Sequence, residues 1–507
     1  MARFNSKKTP KIETQRTTNL AGGPAFTQSW KEELVSILLT SMVQDQFYRS
    51  AQGGLDRLTT LVQGANNADG PFVAKAALYA RNEFGLRSIT HIMAYMIGEG
   101  FKGNTWTKRF FEKIVRRPDD MAEILGLVYQ HKQPIPNAMK KGFAAALQGL
   151  DMYQVGKYQM GGRNIKLVDI VNLVHPKNTG AIHALVNGTL NVKTWETELS
   201  AAGQQPADNR AAAKSKAWVD LLKDRRLGYM ALLKNLRNIA QSVDLEQCYP
   251  TCAGTKTGMQ MVVEQLTDRK AIKKSLVFPF RFVTAYDEIA KAGLRTADSR
   301  MLMVAINDAA EVSLDNVPKF KGSTLVVMDQ SGSMNTAVGT STAAKVGGLF
   351  AAMLWKANVD CDVITFGTRA NYVGEKMRQN SLMNLAENLG YSNQGGTNFS
   401  YPFVLANRAY DRIIILSDMQ GWMDSRTPFD SAVLAGYFVR GAFYDYQKKF
   451  KCHPHLYSFD LCGYGSLQFP EDRVYLLAGF SDKILDVMSL LETDRNALIH
   501  KIEAVDL

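Results

Sequence analysis

The apolar residues change period near residue 320, and that change limits the folds open to this 507-residue chain. From about Ser29 to Asp315 they recur every three or four positions, in runs such as "PFVAKAALYARNEF", "SITHIMAYMIGEG", "NAMKKGFAAALQGL" and "MLMVAINDAAEV". That spacing puts them on one face of a helix. The stretch "VDLLKDRRLGYMALLKNLRNIA" reads as helical throughout. Turn formers in "GANNADGP", "RRPDD", "KQPIP" and "HPKNTG" punctuate the runs. Many short amphipathic helices joined by short turns predict an α-helical repeat of the HEAT type. After "NVPKFKG" short β-branched runs take over: "STLVVMD", "DCDVITF", "DRIIILSD", "HLYSFDL" and "DRVYLLAGF". Helical stretches such as "AAKVGGLFAAMLWKAN" separate them, which predicts βαβ units and a parallel, doubly wound (Rossmann-like) α/β sheet. The expected layout is a flexible basic arm over 1–18, a helical module over 19–320 and an α/β domain over 321–507.

Charge divides the chain at the same place. Residues 321–507 hold 17 Lys+Arg against 19 Asp+Glu, whereas residues 1–320 hold 43 against 29, so the whole excess of positive charge lies in the helical part. Such asymmetry points to a polyanion as partner of one module only. No apolar run reaches the roughly 18 residues needed to cross a bilayer. The start, "MARFNSKKTPKIETQRTTN", has no apolar segment behind its basic residues and so is not read as a secretory signal. Five scattered cysteines argue against a disulfide framework and for reduced thiols in a cytoplasmic protein.

The stretch "STLVVMDQSGSM" ends a buried strand on Asp329, followed by Ser331 and Ser333 on a tight loop. Downstream, "NQGGTNFS" offers Thr397 and "IIILSDMQGW" ends another strand at Asp418. In parallel sheets ligands bind beyond the carboxyl ends of the strands, so three loops are expected to deliver two carboxylates and three hydroxyls to one point. An all-oxygen set of this kind suits a hard divalent cation, with Mg²⁺ balanced by the two carboxylates and keeping a water position open for a partner's carboxylate or phosphate. No histidine, cysteine or lysine lies beside it as base or nucleophile, so recognition rather than catalysis is expected.

This pattern resembles the von Willebrand factor A domain with its metal-ion-dependent adhesion site, and Asp329, Ser331, Ser333, Thr397 and Asp418 match all five ligand positions. An A domain behind a basic helical repeat resembles the Ro autoantigen family, whose helical part is the TROVE module shared with telomerase and vault proteins. The segments that carry the likeness are "TTNLAGGPAF", "VGKYQMGGRNIKLVDIVNLVHPK", "LGYMALLKNLRNI" and "VFPFRFVTAY". Two stretches depart from the family pattern, "SMVQDQFYRSA" and the insert-like "GQQPADNRAAAKSK". The resemblance implies a ring of HEAT-like helices closed by the A domain, with structured RNA outside and single-stranded ends in a central hole.

RNA demands Lys and Arg for its phosphates and a positive channel for single strands. Lys140, Lys141, Lys157, Arg163 and Lys166, with Lys234, Arg237 and Arg281, are the residues expected to supply it. His175 is read as a helix-end histidine satisfied by backbone, and Tyr158 as a packing residue. The reading is therefore a monomeric, non-enzymatic RNA-binding protein of the Ro ribonucleoprotein type. Its expected partners are a small non-coding RNA, the 3′ ends of misfolded RNA and an exoribonuclease or other protein at the metal site. The rival readings are a metal-dependent A-domain adaptor without a specific RNA role, and a metal-dependent phosphohydrolase, for which the sequence offers no base.

Overall fold

A computed structural model describes the chain except for residues 1–15, 20–23, 27–28, 41–50, 66–68, 160–163, 191, 339–340, 422–434, 465–472, 479–481 and 493–495. The period change falls where the sequence puts it. Helices dominate up to Thr296–Ser313, and the strand Thr324–Asp329 begins the α/β domain.

The helical module has two apolar cores. Helices Trp30–Thr40, Ala51–Ala65, Gly70–Asn82, Ser88–Gly100, Thr107–Ile114, Pro118–Gln130, Asn137–Gln148 and Leu167–Val174 share the first, built on Phe72, Phe110, Phe111 and Phe143. Helices from Ala207–Lys223 to Thr296–Ser313 share the second. The run read as one helix over 219–240 is broken into three pieces, ending in Tyr229–Lys234 and Leu236–Ser242. Arg225, at φ +50, turns the chain after the first piece. The insert-like polar stretch is the exposed start of the same Ala207–Lys223 helix, anchored further on by Trp218, Leu221 and Leu222. Two antiparallel hairpins were not anticipated. One pairs Arg16–Thr18, the end of the expected arm, with Pro24–Phe26. The other pairs Cys248–Thr251 with Gly254–Thr257, where the thiols of Cys248 and Cys252 are exposed and unbridged.

The α/β domain is a six-stranded sheet in the order Val474–Ala478, His455–Asp460, Arg412–Ser417, Thr324–Asp329, Cys361–Phe366, Ala370–Tyr372. The first five are parallel, and the short Ala370–Tyr372 edge strand runs antiparallel, which the pattern did not reveal. Both faces are covered, so the central strands are apolar throughout. Val326, Met328, Ile414 and Leu416 face a core continuous with the second helical core, and Leu325, Val327, Ile413 and Ile415 face the other side. The chain leaves Thr324–Asp329 toward one edge and returns to its other side at Arg412–Ser417, so their ends mark the topological switch point.

The A domain meets both ends of the helical module. At one end Glu311 Oε1 accepts the Leu382 backbone N–H at 2.7 Å, and Lys356 lies 3.0 Å from the same carboxylate. At the other, the helix Ala497–Glu503 packs on Gly70–Asn82 and sinks Ile502 into the first core. Lys31 Nζ lies 2.8 Å from Glu503, Lys113 Nζ lies 2.6 Å from Asp506, and Asn19 Nδ2 donates to the Gly421 carbonyl at 3.1 Å. The helical repeat is thereby closed into a ring by the α/β domain.

One glycine fixes the spacing behind the switch point. A Cβ on Gly348, in the helix Ala343–Ala357, would stand 2.3 Å from Gly390 N and 2.6 Å from Ala386 O. Both atoms are backbone, so neither can swing aside. Gly348→Ala is expected to lose about 1–3 kcal/mol through overpacking, read as a lower midpoint in thermal denaturation.

Candidate metal centre and nucleic-acid interface

Asp329 closes its strand fully buried, and Ser331 Nα donates to its Oδ1 at 2.8 Å while the Ser417 hydroxyl donates to Oδ2 at 2.5 Å. Ser331 and Ser333, both buried, bring their hydroxyls within 3.2 Å of each other. The loop carrying Thr397 is stitched to this one. Gly332 N–H donates to the Gly395 carbonyl at 2.9 Å, Gln394 N–H to the Gln330 carbonyl at 3.0 Å and the Ser392 hydroxyl to the Ser331 carbonyl. Thr397, two residues past Gly395, is 1% exposed. Asp418 follows the neighbouring strand, also fully buried, with its Oδ1 taking the Gln420 N–H at 3.2 Å.

The electrostatics of this pair are unfavourable as they stand. Burial raises the Asp329 carboxyl, and the charge of Asp418 raises it further. Burial raises Asp418 as well, against the opposing pull of the Ser333 hydroxyl. Asp418 Oδ2 is buried with no hydrogen-bond partner among the described residues. An orphaned carboxylate oxygen beside a second buried carboxylate and two hydroxyls is the donor set a divalent cation takes. The residues therefore fit a metal of this kind. No group of three His, Cys, Asp or Glu side chains arranged for a metal occurs among the described residues, so this set differs from a zinc-type cluster.

The basic residues divide into two groups. Lys234, Arg237 and Arg281 line one cleft of about 290 Å³ with Glu288 in its wall. Arg237 is paired with Glu288, whereas the Arg281 guanidinium centre lies 4.8 Å from the Phe280 ring centre. Lys234 stands exposed at the cleft, yet the surrounding protein still withdraws water from it. That burial, then repulsion from Arg281 and Arg117, pushes its ammonium below its ordinary value. Arg117 was not anticipated. "RRPDD" reads as turn punctuation, but the Arg117 guanidinium centre lies 4.8 Å from the Tyr158 ring centre, and Lys157 Nζ lies 5.8 Å from the same ring. Lys157 also pairs with Glu196 at 2.9 Å. Arg117 thus packs with the Lys157–Tyr158 segment, and its charge also bears on Lys234.

Other predicted residues stand apart. Lys140 and Lys141 lie on the helix Asn137–Gln148, half-buried and exposed, and Lys166 is exposed ahead of Leu167–Val174. No described contact joins these three to the cleft. Arg163 lies outside the described residues. His175 ends its helix in the left-handed region at φ +48, with its backbone N–H donated to Val171 O at 3.0 Å.

Beneath Arg117 sits a buried carboxylate. Asp120, wholly inaccessible, accepts from Arg81 Nη2 at 2.7 Å, Arg87 Nε at 3.2 Å and the backbone N–H groups of Arg116 and Arg117 at 3.0 and 2.9 Å. His91 Nε2 lies 2.9 Å from Oδ1, the oxygen that Arg87 also reaches. Burial pushes the Asp120 carboxyl up, but the hydrogen bonds from His91 and Arg81 outweigh it and hold the group well below the usual carboxylate range.

An α-helical ring closed by an α/β domain of the von Willebrand factor A type, with an oxygen-rich switch point, defines the class of protein. Residues 189–345 match the TROVE domain family, across the junction of the two modules. Telomerase protein component 1 of Mus musculus is 30% identical over 99 residues, and that of Rattus norvegicus is 31% identical over 102. These matches cover 20% and 19% of this chain but only 3% of each relative, so the chain spans a small fraction of their length. The crystal structure of the Deinococcus radiodurans RO (RSR) protein shares the fold, with a TM-score of 0.61 at 15% identity, over 94% of this chain and 99% of that one. The chain is thus similar to TROVE-domain proteins over these segments, and the solved structure shows the shared fold.

Asp120→Ala would leave Arg81, whose side chain is 6% exposed, buried without its anion. A loss of about 3–5 kcal/mol is expected, checked by urea denaturation. Because the folded value is depressed, the stabilisation is fully present above the unfolded value of about 3.9 and fades as pH falls toward the folded one. Wild-type stability should therefore decline below about pH 4 more steeply than that of the variant.

Proposed function

We propose that this chain is the protein component of a ribonucleoprotein, binding RNA through its basic helical ring. The observation that carries this reading is the cleft lined by Lys234, Arg237 and Arg281, set in the part of the chain that holds all the excess positive charge. Phosphates supply the counter-charge for such a surface, and a partly solvated Lys/Arg cleft is suited to a strand whose backbone it can track. Its RNA would be a small structured non-coding species, together with single-stranded 3′ ends of misfolded RNA. The protein would act in the cytoplasm, in RNA quality control or as an adaptor to an exoribonuclease, and as a monomer.

A second role falls to the switch point. Asp329, Ser331, Ser333, Thr397 and Asp418 would hold a divalent cation, with Mg²⁺ favoured by the hard oxygen donors. Asp418 Oδ2, buried without a partner, supports this assignment. When bound, the cation would offer an open position to a partner protein's carboxylate or to a phosphate. The residues' own part is to orient the oxygens and to keep the site dry.

Two experiments test these readings. A fluorescent RNA hairpin with a single-stranded 3′ tail, titrated across a salt series, should bind tightly and with steep salt dependence. The blunt hairpin should bind more weakly, and equal, weak binding of both that vanishes at physiological salt would instead favour the A-domain adaptor. For the metal, MgCl₂ or MnCl₂ should raise the melting temperature of the wild type. The gain is about 2.7 kcal/mol at a hundredfold excess over Kd. Asp418→Asn should abolish that increment while melting higher than metal-free wild type, because it removes one of two buried like charges.

A further inference from the structure

The turn that follows Asp418 joins the candidate cation site to the seam of the ring. We propose that Asn19 is a positioning residue for that site, and that cation binding and ring closure are coupled through residues 418–421. The inference rests on the cation reading above.

Asp418 begins a short turn that is tied down along its whole length. Met419, fully buried, stands in the left-handed region at φ +59, which a bulky side chain adopts only where its surroundings impose it. The Met419 backbone N–H donates to the Ser417 hydroxyl at 3.0 Å, and that hydroxyl donates in turn to Asp329 Oδ2. Gln420, also fully buried, gives its backbone N–H to Asp418 Oδ1 at 3.2 Å and its Nε2 to the Asp418 carbonyl at 3.3 Å. Beyond it the Gly421 carbonyl accepts from Asn19 Nδ2 at 3.1 Å, across 402 positions of sequence. Asn19 is buried as well. One end of the turn is thus pinned to a carboxylate of the cation site, and the other to a side chain from the start of the helical module.

Asn19 stands where the chain crosses between the modules. The strand before it, Arg16–Thr18, pairs with Pro24–Phe26, which packs on the A-domain helix Ala435–Phe450. The helix Trp30–Thr40 then places Leu34 and Leu38 in the first helical core and also packs against the edge strand Val474–Ala478. The Asn19–Gly421 bond is therefore part of the seam that closes the ring. Asp418, held by the same turn, keeps one buried oxygen without a partner among the described residues. A carboxylate already fixed in place loses less freedom on taking a cation, so a closed seam favours binding. Linkage makes the effect mutual: whatever the seam adds to cation affinity, the cation adds to the seam.

The test titrates the full chain with MgCl₂ or MnCl₂ by calorimetry, comparing wild type, Asn19→Ala and Thr17→Ala. Thr17 is exposed on the same hairpin and serves as the control. Asn19→Ala should bind the cation about fivefold more weakly, and Thr17→Ala should match wild type. Hydrogen exchange of the wild type supplies a reading that needs no folded variant. Saturating cation should slow exchange in the strands Arg16–Thr18 and Pro24–Phe26 by about the same factor. In Asp418→Asn the added salt should leave that exchange unchanged. Equal cation affinity of Asn19→Ala and wild type, or hairpin exchange indifferent to bound cation, would overturn the coupling and leave the cation reading standing. A wild type that takes up no cation would overturn both.

Discussion

The helical half of this protein is organised around one buried carboxylate. Asp120 gathers Arg81 from one helix, Arg87 and His91 from the next, and two backbone N–H groups of its own approach segment. A carboxylate taken out of water is tolerated only when several donors replace that water, and here they do. The arrangement ties together the helices Gly70–Asn82, Ser88–Gly100 and Pro118–Gln130 and, through the Arg117 backbone, sets where the Arg117 side chain starts. The charge displayed at the surface is thus fixed from beneath by a charge in the interior.

The two modules depend on each other. One face of the A-domain sheet packs into the second helical core, and the last helix of the chain plants Ile502 in the first. The α/β domain therefore works as the closing piece of the ring, and its own ends carry the paired carboxylates at the switch point. Closure also decides which basic residues can act together. Arg117 and Lys234 are more than a hundred residues apart in sequence, yet the charge of Arg117 helps to hold the Lys234 ammonium below its ordinary value.

Much of this was legible in the sequence because it is written locally. The change of hydrophobic period marked the start of the sheet, and the strand-ending Asp329 and Asp418 are brought to the switch point by parallel topology alone. The resemblance to the Ro family supplied the ring, which periodicity could not. What stayed hidden was tertiary. Arg225 in the left-handed region splits a run whose pattern is uniformly helical. The Cys248–Thr257 hairpin has too little apolar alternation to stand out from a turn, with half its residues exposed. Arg117 looked like punctuation before a proline, since the Tyr158 ring it lies over is brought to it only by folding. Lys140 and Lys141 show the reverse: a basic pair that is prominent in sequence and isolated in space.

The most direct test of the central claim is to ask where single-stranded RNA lies on the folded ring. A hairpin carrying 4-thiouridine in its 3′ tail can be photo-crosslinked to the full-length protein and the attached peptides identified by mass spectrometry. Crosslinks concentrated in the segments around Arg117, Tyr158, Lys234 and Arg281 are the expected result. Crosslinks confined to the α/β domain, or spread evenly over the basic surface with Lys140 and Lys141 as prominent as the cleft, would contradict it.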